Sequence, residues 1–189
     1  MVRIGLASDS SGDTPLLARA LASLERAGAE RIFFLGARGS DLDAALPEAV
    51  RLGASPALAG RVARAASRAG PERDRGGTPD KTIELVGGAL GFLVHDKADL
   101  TRDEIASATF LFHGAAAAAA LVRIGPRYFV TPGQLTAEAS PAAATSSPGT
   151  FALLEVSDEH VELVVFGAQG DERARLRELV VAGPQVKIR

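Results

Sequence analysis

The chain has 189 residues, 47% of them hydrophobic, and a formal net charge of −2. That length suits a single domain over 1–189 with a sizeable core, and the near-neutral balance gives no global pull toward nucleic acid or an anionic membrane. Cysteine is absent, which excludes a disulfide framework and a thiolate site.

Val2 to Ala7 is a mainly apolar run closed by Ser8-Asp9-Ser10-Ser11-Gly12. It reads as a buried strand that delivers Asp9 to the C-terminal edge of a sheet, where open α/β folds keep their ligands. Asp13 to Ala27 carries Leu16, Leu17, Leu21, Leu24 and Ala27 at helical spacing, with Asp13 or Thr14 as cap and Gly28 as the stop. Arg31 to Leu35 is a second buried strand, completing a βαβ unit with a right-handed crossover. Ser40 to Leu52 is expected as a helix capped by Ser40 or Asp41. Ala57 to Ala69 also has helical periodicity and would set Arg61, Arg64 and Arg68 on one face. Those arginines, with Arg38, are candidate anion contacts, although a solvated helix face is the favoured reading. The Pro-, Gly- and charge-rich stretch 70–80 is expected to be a mobile loop.

Beyond it the pattern changes. Thr82 to Val86 and Ala89 to His95 flank Gly87-Gly88, a hairpin signal. Thr101 with Glu104 predicts a capping box on a short helix to Ala108. Thr109 to His113 is a strand, Leu121 to Ile124 and Tyr128 to Thr131 pair across Gly125-Pro126, and 136–148 is a low-complexity loop. Phe151 to Val156 and Val161 to Phe166 form a last hairpin. Asp171 to Val180 reads as a terminal helix, and 185–189 as strand or frayed tail. A parallel half followed by an antiparallel half implies an α/β fold of two packed mixed β-sheets flanked by helices. No signal peptide and no run of spanning length is apparent, so the expected location is cytoplasmic.

In this order the segments resemble the calcineurin-like metallophosphoesterases, in particular the branch of small bacterial phosphodiesterases and the eukaryotic retromer subunit. Asp9-Ser10-Ser11-Gly12 stands where the family has Asp-x-His-Gly, and Leu35-Gly36-Ala37 where it has Gly-Asp. Leu93-Val94-His95 matches a strand ending in a ligand His. His113-Gly114-Ala115-Ala116-Ala117 covers the place of Gly-His-x-His, and Thr131-Pro132-Gly133-Gln134 that of Asn-Pro-Gly-Ser.

The resemblance implies an αββα sandwich with two metal ions at one edge, which generate hydroxide and neutralise phosphoryl oxygens. It also implies that most ligands are missing. Ser11 replaces a His, Ala37 the bridging Asp, and Ala115 and Ala117 two late His, while Asp9 and His95 remain. Methyl groups donate no lone pair, so the expectation is no metal, no cofactor and no catalysis. Asp9 is then expected to be a turn carboxylate capping the following segment, His95 a hydrogen-bonded cleft residue, and His113 structural. The implied function is a pseudo-enzyme acting as a protein-interaction scaffold or regulatory subunit, in possible homo-oligomers. The alternatives are a phosphate-ligand binding module and a residual metal-dependent phosphodiesterase.

Overall fold

A computed structural model describes residues 1–65, 82–135 and 149–180. Chain order gives β1 (Val2–Ala7), α1 (Thr14–Arg26), β2 (Arg31–Phe34), α2 (Gly39–Arg51), a 3₁₀ turn (Pro56–Arg61) and β3 (Val62–Arg64). After 66–81 come β4 (Thr82–Val86), β5 (Ala89–Val94), α3 (Arg102–Ser107), β6 (Phe110–His113), β7 (Ala119–Ile124) and β8 (Arg127–Pro132). The last elements are β9 (Thr150–Val156), β10 (His160–Gly167) and β11 (Glu172–Leu179). One sheet has the order β11-β10-β9-β1-β2-β3 and the other β4-β5-β6-β8-β7. Both are mixed, as the sequence implied: β1, β2 and β3 run parallel while β9 and β10 join antiparallel.

Alternation along each strand builds the layers. On β2, Ile32 and Phe34 face α1 and α2, whereas Phe33 joins Leu35, Ile4, Leu6, Phe112 and Val130 in the core between the sheets. Phe33 meets Phe112 edge-on at 5.1 Å between centroids, the favoured arrangement of an aromatic pair. Helix α1 buries Leu16, Leu17, Leu21 and Leu24 on the other face of the first sheet. Each is worth roughly 1.5–3 kcal/mol, an upper figure given that unfolded chains already bury some apolar surface.

The outer face of the second sheet carries one apolar row across all five strands. Ile83 pairs with Phe92, Phe92 with Leu111, Leu111 with Phe129, and Phe129 with Val122. The short α3, through Ile105, and the preceding Leu100 cover only its middle. At the flanks Ile83, Leu85, Val122 and Ile124 stay exposed.

Three expectations are corrected. The helix expected from Ala57 to Ala69 is, over the described part, a 3₁₀ turn followed by a strand. Ser55 caps the turn by accepting from Ala57 N, Gly60 weakens any longer helix, and Val62 to Arg64 pair with Ile32 to Phe34. The terminal helix expected from Asp171 to Val180 is β11, drawn out along β10 by pairs from His160–Leu179 to Phe166–Glu172. Helix α2 begins at Gly39 with Arg38 as N-cap and no side-chain cap bond, so neither Ser40 nor Asp41 serves. The capping box on α3 and the Gly87-Gly88 turn, both glycines at positive φ, match the sequence reading. The loops expected at 70–80 and 136–148, Arg68 and the tail 185–189 lie outside the described residues.

Candidate functional site

The C-terminal ends of β1, β2, β5 and β6 meet at one edge where the two sheets adjoin. Asp9 follows β1, Ala37 follows β2, His95 follows β5, and Gly114 and Ala115 follow β6. Asp9 Oδ1 accepts from Ala37 N at 2.7 Å. The expectation that Asp9 caps the segment after it is therefore corrected, because Asp13 caps α1 by accepting from Leu16 N at 2.9 Å. Asp9 reaches sideways to the neighbouring strand end, where it meets the Ala37 N–H.

His95 Nδ1 lies 3.0 Å from Leu35 O and 3.4 Å from Asp9 Oδ2. A carbonyl only accepts, so Nδ1 is the donor in the contact with Leu35 O. Both side chains are about one-fifth exposed, at 22% each. The main chain fastens the edge further. Gly114 N and Ala115 N both donate to His95 O, at 2.9 and 2.8 Å, and Leu135 N donates to Asp9 O at 2.9 Å. Ser8 Oγ donates to Gly114 O at 2.8 Å, deep in the structure.

Glycine is required at two of these positions for space alone. A Cβ on Gly114 would overlap Leu35 O, and one on Gly36 would overlap the Phe34 ring and lie 3.0 Å from Asp9 Oδ1. Ser11 sits in the turn after Asp9 at φ 53°, exposed, a left-handed conformation that costs a non-glycine residue energy. Ala115 and Ala117 are exposed on the turn between β6 and β7.

His113 pairs with Val94 in the β5–β6 ladder, and its Nδ1 is buried without a hydrogen-bond partner among the described residues. Burial first, and Lys97 second, hold its imidazole below the usual histidine range, with Asp96 opposing. Such a ring favours the neutral form, which suits a packing residue. Among the described residues, no group of three or more His, Cys, Asp or Glu is placed to hold a metal ion.

Among the described candidate anion contacts, Arg61 and Arg64 do not share a helix face. Arg61 pairs with Glu25 and Arg64 with Asp43, on different elements. Arg38 is exposed at the head of α2. The shared helix face that would have united them is not formed, because Arg61 ends a 3₁₀ turn and Arg64 ends a strand. The Asp9–His95 contact could not be read from sequence spacing; it required the strand order.

No protein-family model and no curated protein matches the sequence. Solved structures do match. A predicted phosphoesterase from Streptococcus pneumoniae TIGR4 superposes with TM-score 0.62 at 14% identity, covering 94% of this chain and 97% of its own. The chain has the metallophosphoesterase fold. Wild-type Vps29 of Entamoeba histolytica, complexed with Zn²⁺, gives TM-score 0.59 at 15% identity, over 95% of this chain and 100% of that one. The E. coli phosphoesterase YfcE gives 0.60 at 18%, over 93% and 98%. The metallophosphoesterase fold thus spans nearly the whole chain, with Asp9 and His95 at one sheet edge. No helix among the described residues is long and apolar enough to cross a membrane.

Proposed function

We propose that this is a catalytically inactive metallophosphoesterase-fold protein that serves as an interaction scaffold or regulatory subunit. One observation carries the reading. At the edge where the fold would hold two ions, Ala37 presents an N–H to Asp9, and Asp9 and His95 face each other, with no third acidic or imidazole ligand grouped with them among the described residues. A bridging carboxylate is what lets two divalent ions sit a few ångströms apart, and a backbone N–H repels a cation. The residues present do not fit a dinuclear centre. Two further features support a scaffold. The fold is shared with Vps29, whose retromer role is the precedent for use without catalysis, and Ile83, Leu85, Val122 and Ile124 are exposed on the flanks of the sheet face whose middle α3 covers.

The test has two parts. Purified protein is expected to carry no stoichiometric Mn, Fe, Zn or Ni by elemental analysis, and to leave bis-p-nitrophenyl phosphate intact with Mn²⁺ added. A rate abolished by His95→Ala would overturn the inactive reading and promote the phosphodiesterase. A partner co-purified from the native cell is expected to be lost on Ile83→Glu or Val122→Glu while the fold is retained. Retention of the partner by both variants would remove this face from the scaffold reading.

A further inference from the structure

On the side of the molecule formed by α1 and α2, a pocket of about 200 Å³ opens between α1, the end of α2 and the β10–β11 turn. Arg19, Ser23 and Arg26 of α1 line it together with Gln169, over an apolar floor that includes Leu52 and Ala168. Arg26 is set in place by two bonds, Nε to Ala22 O at 3.3 Å and one terminal nitrogen to Ser23 Oγ at 3.1 Å. Neither Arg19 nor Arg26 has a carboxylate partner among the described residues.

Most carboxylates on the lining elements are already engaged elsewhere. Glu25 of α1 pairs with Arg61, Asp43 and Glu48 of α2 pair with Arg64 and Arg51, and Asp171 of the turn pairs with Arg173. Among the described residues, two guanidinium charges therefore stand uncompensated at one concavity of a chain whose net charge is −2. The Ser23 hydroxyl accepts from Arg26 and so keeps its own O–H to donate, and the Gln169 amide adds further N–H groups.

We propose that this pocket binds the phosphate group of a small phosphomonoester. Planar guanidinium forks match phosphate oxygens and give charge-assisted bonds roughly twice as strong as neutral ones. A tetrahedral dianion is compensated by Arg19 and Arg26, and Ser23 and Gln169 supply donors to oxygens the arginines do not reach. The size limits the rest of the ligand. Pockets for drug-sized molecules run to about 300–1,000 Å³, so this one admits a phosphate and a short carbon stub against Leu52. The site lies away from Asp9 and His95 and shares no residue with the Arg38, Arg61, Arg64 and Arg68 set.

Titrating the full chain with inorganic phosphate, and separately with glycerol phosphate, tests the proposal by calorimetry at constant ionic strength. Saturable binding with Kd on the order of 1 mM is expected, tighter for the ester, and weakened about tenfold by Arg19→Gln or Arg26→Gln. Unchanged melting temperatures in phosphate-free buffer verify that those variants fold. Absence of saturable binding to either anion would overturn the proposal, as would binding that survives both substitutions. Loss of binding in Arg38→Gln would place the anion at the sheet edge and equally overturn it.

Discussion

Gly114→Ala tests how closely the two sheets are joined at the candidate site. Gly114 does not have a positive φ, so alanine there meets no backbone penalty and the effect is purely steric. The new methyl would overlap Leu35 O and lie 2.6 Å from Ser8 Oγ and 2.8 Å from Leu35 C. Two of those neighbours are main-chain atoms of the strand end that also accepts from His95, so no flexible side chain can give way. Overpacking of this kind costs about 1–3 kcal/mol, and displacing Gly114 O from the buried Ser8 hydroxyl adds about 1 kcal/mol. For a domain of this size the sum of about 2–4 kcal/mol lowers Tm by roughly 5–15 °C. The chain has no tryptophan, so the melt is followed by far-ultraviolet circular dichroism. Gly60→Ala is the control: nothing lies within 4 Å of its Cβ position, and the change is expected to stay within about 0.5 kcal/mol. If Gly114→Ala melts within about 2 °C of the parent, the close approach of β6 to the end of β2 is wrong.

Three further outcomes are expected. His113 is held below the ordinary histidine pKa of about 6.5, so the unfolded chain binds its proton first as pH falls. Its contribution is therefore complete above about 6.5 and is lost on acidification below it, and His113→Gln should flatten that part of a urea-stability profile against pH. Ser11→Gly relieves a left-handed non-glycine conformation and should raise stability by about 0.5–1 kcal/mol in urea melts; no gain would mean the turn is unstrained. Thr101→Ala removes the acceptor for Glu104 N and one half of the capping box, costing about 1 kcal/mol. Amide exchange should quicken across α3, and unchanged protection there would show that packing on Leu111 holds the helix.

Much of the fold was legible because local signals and tertiary context agree. Leu16, Leu17, Leu21 and Leu24 repeat at helical spacing and are all buried, and Gly87-Gly88 occupies the hairpin turn it predicts. The misreading of β11 has a definite cause. Glu172 to Leu179 is rich in helix-favouring Glu, Arg, Leu and Ala, with Leu176, Leu179 and Val180 at helical spacing. An edge strand asks only that one side pack, and Leu176 supplies that while Arg175 bonds Glu162 across to β10. The Arg61–Arg64 face failed for a similar reason: helical spacing means nothing once Val62 and Ala63 extend beside β2. Asp9 and His95 were visible as residue types, but their contact depends on β5 lying next to β6 and that edge meeting β1 and β2, which periodicity does not encode.

The bonds from Gly114 N and Ala115 N to His95 O and from Leu135 N to Asp9 O belong to the main chain. They ask nothing of the side chains beyond room, which Gly114 supplies. Architecture and chemistry are thereby wired separately at this edge. The side chains of Ser11, Ala37, Ala115 and Ala117 can be exchanged without removing a bond that joins the strand ends. A backbone fastened this way can carry a reactive centre or none, and the work it performs is decided by a handful of side chains projecting from it.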